Sequence, residues 1–192
     1  MSKSMFLVLF LSLQVFILNQ RNQKILSKDQ WVKYLIELAN RQTEYSNVYP
    51  YNVLYYDGAI WYADCVNLQK ALFNGRNIYD YSPGGYQHDL SNTGDITTEQ
   101  MIRACSDVSS DFTRLKSGEP RILHLQGHIG AYLGKTVVTS EGLCNVVEAT
   151  GSFGHKIAFS WVDSDGTRRN AKGGYTNGKW TEHGLPSNWV SY

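Results

Sequence analysis

The spacing of apolar residues changes near Pro120 and divides the chain into a helical part and a strand-forming part. Before Pro120, apolar residues recur at helical spacing in the segments 27–45, 65–75 and 98–105. Each segment opens on or after a residue that can cap a helix, and the second closes on Asn74-Gly75, a good C-terminal pair. The first part of the chain therefore predicts three helices.

After Pro120, apolar and polar residues alternate with the period of two that is typical of strands. Asp165-Gly166 and Asn177-Gly178 predict turns. The predicted strands are 121–133, 146–150, 157–162 and 167–171. Because the helices come first and an antiparallel sheet follows, the expected fold class is α+β.

Two segments between the helices are rich in turn residues and tyrosine. The first, Asn47 to Tyr62, contains Asp57-Gly58, which is typical of tight turns. The second, Arg76 to Asp95, is longer than most loops of a compact domain, and such loops are usually functional or mobile. We expect its tyrosines to wall a groove: Tyr79, Tyr81 and Tyr86.

Residues 1–22 are predicted to precede the folded domain, which spans residues 23–192. A short basic start leads into an apolar run, Met5 to Leu18, whose 14 residues suit the core of a signal peptide and are few for a bilayer-spanning helix. The polar stretch that follows lacks a small-residue cleavage site, so an uncleaved signal anchor is the alternative. We expect a secreted or cell-surface protein, with no stable membrane insertion unless this segment stays attached.

The composition is that of a globular domain, with 42% hydrophobic and 18% charged residues. The 18 lysines and arginines nearly balance the 17 aspartates and glutamates, so nothing predicts a nucleic-acid partner. The 13 tyrosines and 5 tryptophans could line a groove for peptide or sugar, although a tyrosine-rich β core is the simpler explanation.

Cys65 is predicted to lie at a helix start, a position that favours a nucleophilic cysteine. Asp64 is a good N-cap residue, so the thiol is predicted to lie in the first turn of the second helix. The positive end of the helix dipole favours thiolate, the nucleophilic form, over thiol. Taken alone, a cysteine in a first helical turn is more often a small buried residue.

Two polar residues in predicted strands complete the groups that a cysteine hydrolase needs. His128 lies among glycines, on the face of its strand opposite Ile129. Glu148 is a carboxylate in an apolar strand, where a charge is seldom placed without a partner. If the two strands pair, Glu148 can accept a hydrogen bond from the imidazole and orient it. Each residue alone is more often structural or exposed.

His124 and His128 also form an H-x-x-x-H pattern, which on a helix can bind zinc. The local pattern is that of a strand, in which four residues span about 13 Å, too far for one ion. We therefore expect neither a metal nor another cofactor.

The three cysteines leave one thiol unpaired if the chain is exported and forms a disulfide. If Cys65 is the nucleophile, Cys105 and Cys144 are the only pair left for an intrachain bridge. The sequence leaves open whether that bridge forms.

Together these residues resemble the NlpC-like cysteine peptidases, the peptidoglycan endopeptidases of the papain-like clan. The resemblance runs from about Ser27 to Tyr192. It rests, in the family's order, on Asp64-Cys65, on Gly127-His128-Ile129-Gly130-Ala131-Tyr132-Leu133-Gly134 and on Val146-Val147-Glu148-Ala149-Thr150. This chain has Val66-Asn67 where the family usually has Ser-Gly, and Glu148 where the family often has histidine.

The resemblance implies a papain-like, NlpC-type α+β fold, with N-terminal helices packed on a central antiparallel sheet and the nucleophile at a helix N-terminus. It implies cleavage of an amide bond in the peptidoglycan stem peptide, of the γ-D-glutamyl-diamino acid type, with peptidoglycan or muropeptides as the partner. Cys65 is then the nucleophile, His128 the base and acid, and Glu148 the orienting group. Asp64 and Tyr51 are the candidate substrate-binding residues, Tyr51 because an aromatic residue some way before the cysteine shapes the site in this family.

Two other functions fit the same residues. One is another papain-like hydrolase, such as an N-acetylmuramoyl amidase. The other is a catalytically inactive wall-binding module on the same fold, in which Cys65 is merely buried.

Overall fold

The computed structural model describes residues 26–46, 54–83 and 90–192, and these residues form three α-helices, one short 3-10 helix (Phe112–Arg114) and thirteen strands. The helices are α1 (Lys28–Ala39), α2 (Cys65–Phe73) and α3 (Thr98–Arg103). The strands are β1 (Leu26–Ser27), β2 (Thr43–Tyr45), β3 (Tyr55–Tyr56), β4 (Trp61–Ala63), β5 (Ser106–Ser109), β6 (Arg121–Leu125), β7 (His128–Thr139), β8 (Gly142–Thr150), β9 (Lys156–Val162), β10 (Thr167–Asn170), β11 (Tyr175–Lys179), β12 (Glu182–Leu185) and β13 (Val190–Ser191).

One large antiparallel sheet forms the centre of the fold. Its eight strands follow the order β11-β10-β9-β8-β7-β6-β12-β5. The strands β2, β4 and β3 form a small second sheet, and β1 pairs with β13 in parallel. The helix α1 packs on β9, and α2 packs on β7 and β8. The predicted α+β class is confirmed, with helices packed on an antiparallel sheet.

Apolar side chains form separate cores on the two faces of the large sheet. The helices cover one face, where Leu68 and Leu72 of α2 share a core with residues of β7. The second core is smaller and consists of Phe112, Leu123, Tyr132, Val146, Val162 and Trp180. The alternation predicted for β7 is confirmed, because Ile129 belongs to the first core and Tyr132 to the second.

All three helices begin where the sequence predicts. Ser27 and Thr97 each form a capping box with the glutamine three residues later, and Asp64 caps α2. Each of these side chains accepts a hydrogen bond from a backbone N–H that has no partner within the helix. Such a cap contributes about 1 kcal/mol to stability.

The predicted end of the first helix is wrong, because α1 stops at Ala39 rather than near Tyr45. The backbone N–H of Asn40 bonds back into the helix, and residues 43–45 form β2 beside β4. Tyr45 also donates its backbone N–H to the carbonyl of His155 at 2.7 Å. Pairing with distant strands therefore overrides the local helical pattern.

The segment 121–133 is two strands and not the single strand that the alternation predicts. Gly127 has a φ of 73° and reverses the chain, so that Leu125 pairs with His128. Glycine adopts this left-handed conformation without the strain that a side chain would cause. The period of two continues through the turn and therefore hides it.

Asn177-Gly178 lies within β11, so the turn predicted there is wrong. The strand pairs with β10 through an irregular register between Thr167↔Lys179 and Arg169↔Tyr175. The register shift accommodates Gly178, whose φ is 153°.

Several predictions concern residues outside the described part of the chain. These are the N-terminal segment 1–22, Tyr51, and Tyr86 of the long loop. No helix in the described ranges is long and apolar enough to cross a bilayer.

Candidate active site

Cys65 is the first residue of α2 and lies beside a cleft of about 400 Å³. The residue is 6% exposed. The cleft is also lined by Tyr45, Asp64, Asn67, Lys70 and Gly127. The thiol is therefore buried at the wall of this cleft.

Asp64 fixes the start of α2 through both of its carboxylate oxygens. Oδ1 accepts from the backbone N–H of Asn67 and Oδ2 from the side-chain Nδ2 of the same residue, each at 2.7 Å. Burial raises the pKa of Asp64, although its hydrogen bonds and the Lys70 ammonium oppose the rise. The second bond needs the Asn67 side chain, so the Val66-Asn67 pair strengthens the helix start here.

Burial raises the pKa of the Cys65 thiol to about 12, and the neighbouring Asp64 carboxylate acts in the same direction. The backbone N–H groups of Ile129, Val66 and Cys65 itself act in the opposite direction and lower the pKa by less. The thiolate expected from the helix dipole is therefore not the resting form. The dipole is a smaller effect than the loss of hydration, because the sulfur is almost fully enclosed.

His128 and Glu148 form the pair that the sequence predicts. Nε2 of His128 lies 2.6 Å from Oε2 of Glu148. The imidazole is 15% exposed and stacks on Trp180, with ring centroids 5.5 Å apart and an angle of 19° between the planes. Trp180 fits there because Gly130 has no side chain, and a Cβ at that position would lie 2.8 Å from the indole ring.

Glu148 is fully buried and bonds to two further residues. Its Oε1 accepts from the Ser160 hydroxyl at 2.5 Å, and the Arg168 Nε lies 3.0–3.1 Å from both carboxylate oxygens. Arg168 also donates through Nη2 to Oε2. Burial alone would raise the pKa of Glu148, but the hydrogen bond from His128 and the charge of Arg168 outweigh burial and lower it. The carboxylate is therefore ionised although water does not reach it.

The start of β7 brings the thiol and the imidazole into one neighbourhood. The backbone N–H of Ile129 is among the groups that lower the pKa of Cys65, and His128 is the residue before Ile129, one Cα spacing of about 3.8 Å away. Nε2 of the imidazole is used by Glu148, whereas Nδ1 has no hydrogen-bond partner among the described residues. Cys65 and Gly127, the residue before His128, line the same cleft, and Glu148 lies near the end of the strand paired with β7.

Glu99 anchors the turn that precedes His128. Its Oε1 accepts from the backbone N–H of Gly127 at 3.1 Å, which ties α3 to the β6–β7 turn. The backbone N–H of Glu99 itself and the Thr98 hydroxyl are the main causes that lower its pKa to about 2. The anchor therefore stays ionised at any pH that the protein meets in ordinary buffers.

His124 and His128 do not face one another. His124 pairs with Ile129 across the hairpin, while His128 pairs with Leu125, so the two imidazoles lie on opposite faces. Nδ1 of His124 lies 2.9 Å from Glu182. The described residues contain no group of three potential metal ligands.

All three cysteines are free thiols, so Cys105 and Cys144 form no bridge. Cys105 Sγ lies 3.4 Å from the carbonyl oxygen of Met101, and Cys144 Sγ lies 3.4 Å from that of Val137. Burial raises the pKa of both thiols.

Two of the three loop tyrosines that we expected to wall the groove, Tyr79 and Tyr81, pack elsewhere. Tyr79 and Tyr81 surround the guanidinium of Arg41, whose centre lies 5.6 and 5.2 Å from their rings. From the end of that loop, Asp95 lines the cleft beside Cys65. Tyr51 and Tyr86 lie outside the described residues.

Sequence reasoning missed Arg168, Trp180 and Ser160, which surround the carboxylate and the imidazole. The signal that pointed toward them was Glu148 itself, since a buried carboxylate requires a donor or a cation. The sequence could not say which donor, because that depends on the register of β8, β9 and β10.

Comparison of the chain with protein-family models, with curated proteins and with solved structures gave no match.

Proposed function

We propose that this protein is a cysteine peptidase that hydrolyses an amide bond in the peptidoglycan stem peptide, of the γ-D-glutamyl-diamino acid type. One observation carries the proposal. The start of β7 carries both the Ile129 backbone N–H, which lowers the pKa of Cys65, and His128, whose Nε2 lies 2.6 Å from the buried Glu148. A thiol, a base and an orienting group in this order are the parts of a cysteine hydrolase.

The resemblance of the sequence motifs to NlpC-like enzymes extends the proposal to the fold and the substrate. Asp64-Cys65 opens a helix, and the histidine and third-residue motifs lie on adjacent antiparallel strands, as that resemblance implies. We therefore assign the domain to the papain-like, NlpC type. We also propose export of the protein to the cell surface or beyond, where peptidoglycan is reached.

Because the pKa of Cys65 is raised, we infer that the thiol loses its proton during the attack and not before it. At rest the thiol is protonated, and Nδ1 of His128 is the ring nitrogen left to accept its proton. The sulfur attacks the carbonyl carbon as that proton moves to His128, forming a C–S bond and an oxyanion. The backbone N–H of Cys65 at the helix start stabilises the oxyanion, a contribution of ~3 kcal/mol.

The second half of the reaction returns the proton. His128 donates it to the leaving amine as the C–N bond breaks, which leaves a thioester on Cys65. His128 then accepts a proton from water, whose oxygen attacks the thioester, and the sulfur leaves with that proton. Glu148 holds the imidazole through Nε2 in every step.

Digestion of defined muropeptides with the purified protein, followed by mass spectrometry, tests this function. Two products whose masses sum to substrate plus water, split at the γ-D-glutamyl bond, are expected. Cys65→Ala should abolish cleavage, and Cys105→Ala, which removes a buried thiol elsewhere, should leave it intact. Cleavage between the sugar and the peptide would instead identify an N-acetylmuramoyl amidase.

A wall-binding module without hydrolase activity is the second candidate function. The observation that favours it is the 6% exposure of Cys65 together with its raised pKa. Sedimentation of the protein with insoluble peptidoglycan separates the two functions. Binding without release of fragments, unchanged in Cys65→Ala, would support the module and exclude the peptidase.

A further inference from the structure

Arg168 is a buried cation that reaches the candidate site from β10, three strands from β7. Its side chain is 4% exposed. Beyond its bonds to Glu148, Nη2 donates to the Thr150 hydroxyl at 3.0 Å and lies 3.5 Å from Nε2 of His128. The guanidinium therefore touches the carboxylate and lies next to the imidazole.

Aromatic rings hold Arg168 in this position. Its guanidinium carbon lies 4.7 Å from the centre of the Phe153 ring and 5.5 Å from that of Trp180. Trp180 also stacks on His128, so one indole contacts both the cation and the imidazole. The planar guanidinium suits this stacked, two-pronged geometry, which a lysine cannot reproduce.

The contacts fix the tautomer of the imidazole. An ionised carboxylate can only accept, so the 2.6 Å contact between Glu148 and Nε2 requires a proton on Nε2. A protonated Nε2 cannot also accept from Arg168, which explains why Nη2 stays 3.5 Å away while bonding to oxygen. In the neutral ring, Nδ1 is then the unprotonated nitrogen.

The charges around His128 come from several elements. Glu148 on β8 favours the imidazolium, and Arg168 on β10 opposes it. The start of α2 supplies the Asp64 carboxylate, which lies within electrostatic range of His128 and also favours the imidazolium, and the thiol of Cys65. Glu99 on α3 holds the adjacent turn.

We propose that Arg168 is a positioning residue that offsets the charge of Glu148, so that His128 rests as a neutral base with Nδ1 free for the thiol. The effect of Arg168 on catalysis rests on the proposed function, whereas its effect on the protonation of His128 does not. A lone buried glutamate would hold His128 as the imidazolium, which could not accept the thiol proton. The Glu148–Arg168 pair leaves the ring oriented and uncharged.

Nitrogen NMR of His128 tests the proposal directly. In the wild-type protein at pH 7, the ring should be neutral with its proton on Nε2. In Cys65→Ala/Arg168→Met, the midpoint of the His128 titration should rise by roughly one pH unit or more relative to Cys65→Ala. Arg168→Lys keeps the positive charge but loses the two-pronged guanidinium, so it should raise the His128 midpoint by less.

Arg169→Met is the matched control, because Arg169 is the next residue on β10 and pairs instead with Asp163, with both side chains about one-third exposed. Its His128 midpoint should stay at the wild-type value. An imidazolium at pH 7 in the wild-type protein, or an unchanged or lowered midpoint in the folded Arg168→Met protein, would overturn the proposal. If Arg168→Met does not fold, the wild-type tautomer and Arg168→Lys decide it.

Activity measurements separate this proposal from the proposed function. If muropeptides are cleaved, the acid limb of the pH profile of kcat/KM should move upward in Arg168→Met, by the same amount as the NMR midpoint. If muropeptides are not cleaved but the midpoint moves, the peptidase assignment fails and the role of Arg168 stands.

Discussion

Replacing Glu148 by glutamine should destabilise the fold far more than the loss of one hydrogen bond, because it leaves Arg168 charged and unpaired in the protein interior. Both side chains are almost fully buried, at 0% and 4% exposed. Removing one partner of a buried ion pair typically costs about 3–5 kcal/mol. For a domain of this size, that corresponds to a fall of roughly 6–20 °C in Tm.

A double-mutant cycle isolates the buried charge as the cause. Glu148→Gln/Arg168→Met removes both charges and keeps apolar volume beside Trp180, so it should recover at least about 2 kcal/mol of the loss. Urea unfolding followed by tryptophan fluorescence gives the four free energies. Arg169→Met, at a more exposed ion pair on the same strand, should cost less than about 1 kcal/mol.

The reasoning would be refuted if the two single substitutions were additive, or if Glu148→Gln cost less than about 1 kcal/mol. Either result would mean that water reaches the pair in solution. The cycle is also needed to interpret activity. Glu148→Gln lowers the fraction of folded protein, so its loss of cleavage must be corrected for that fraction before the rest is assigned to the lost orientation of His128.

Three further outcomes follow from the geometry. Gly130→Ala should cost about 1–3 kcal/mol in urea unfolding, because its Cβ would meet the Trp180 ring at 2.8 Å, whereas Gly151→Ala, whose nearest contact is 3.4 Å, should cost clearly less. Burial and then the guanidinium of Arg121 hold the pKa of His183 below its ordinary value of 6.5. The contribution of His183 to the free energy of unfolding should therefore be fully present above pH 6.5 and be lost as the pH falls below that value. Urea midpoints that stay level down to roughly pH 5 would contradict this. Iodoacetamide should alkylate Cys65 at least about tenfold more slowly at pH 7 than a small free thiol, and the rate should climb with pH; rapid labelling below neutral pH would reveal a preformed thiolate.

Local signals in the sequence predict the helix starts and the three residues of the proposed site. Ser27, Asp64 and Thr97 act within one turn of their own positions, so their role does not depend on the rest of the fold. The alternation around His128 and Glu148 identifies their shared face of the sheet once the two strands are paired.

Contacts between distant segments explain what the sequence did not predict. The end of α1 depends on the pairing of residues 43–45 with β4. The turn at Gly127 is hidden because alternation continues through it. Arg168 meets Glu148 only because β9 lies between β8 and β10 in register. The state of the thiol depends on burial, which the helix-dipole argument does not include.

Trapping the acyl-enzyme is the most direct test of the claim that Cys65, His128 and Glu148 together hydrolyse stem peptides. The protein is mixed with a defined muropeptide, quenched in acid within the first turnover, and digested for mass spectrometry. We predict a thioester on the peptide that contains Cys65, with the mass of the acyl half of the substrate, and none in Cys65→Ala. Turnover without any adduct on Cys65, or turnover that survives in Cys65→Ala, would contradict the account.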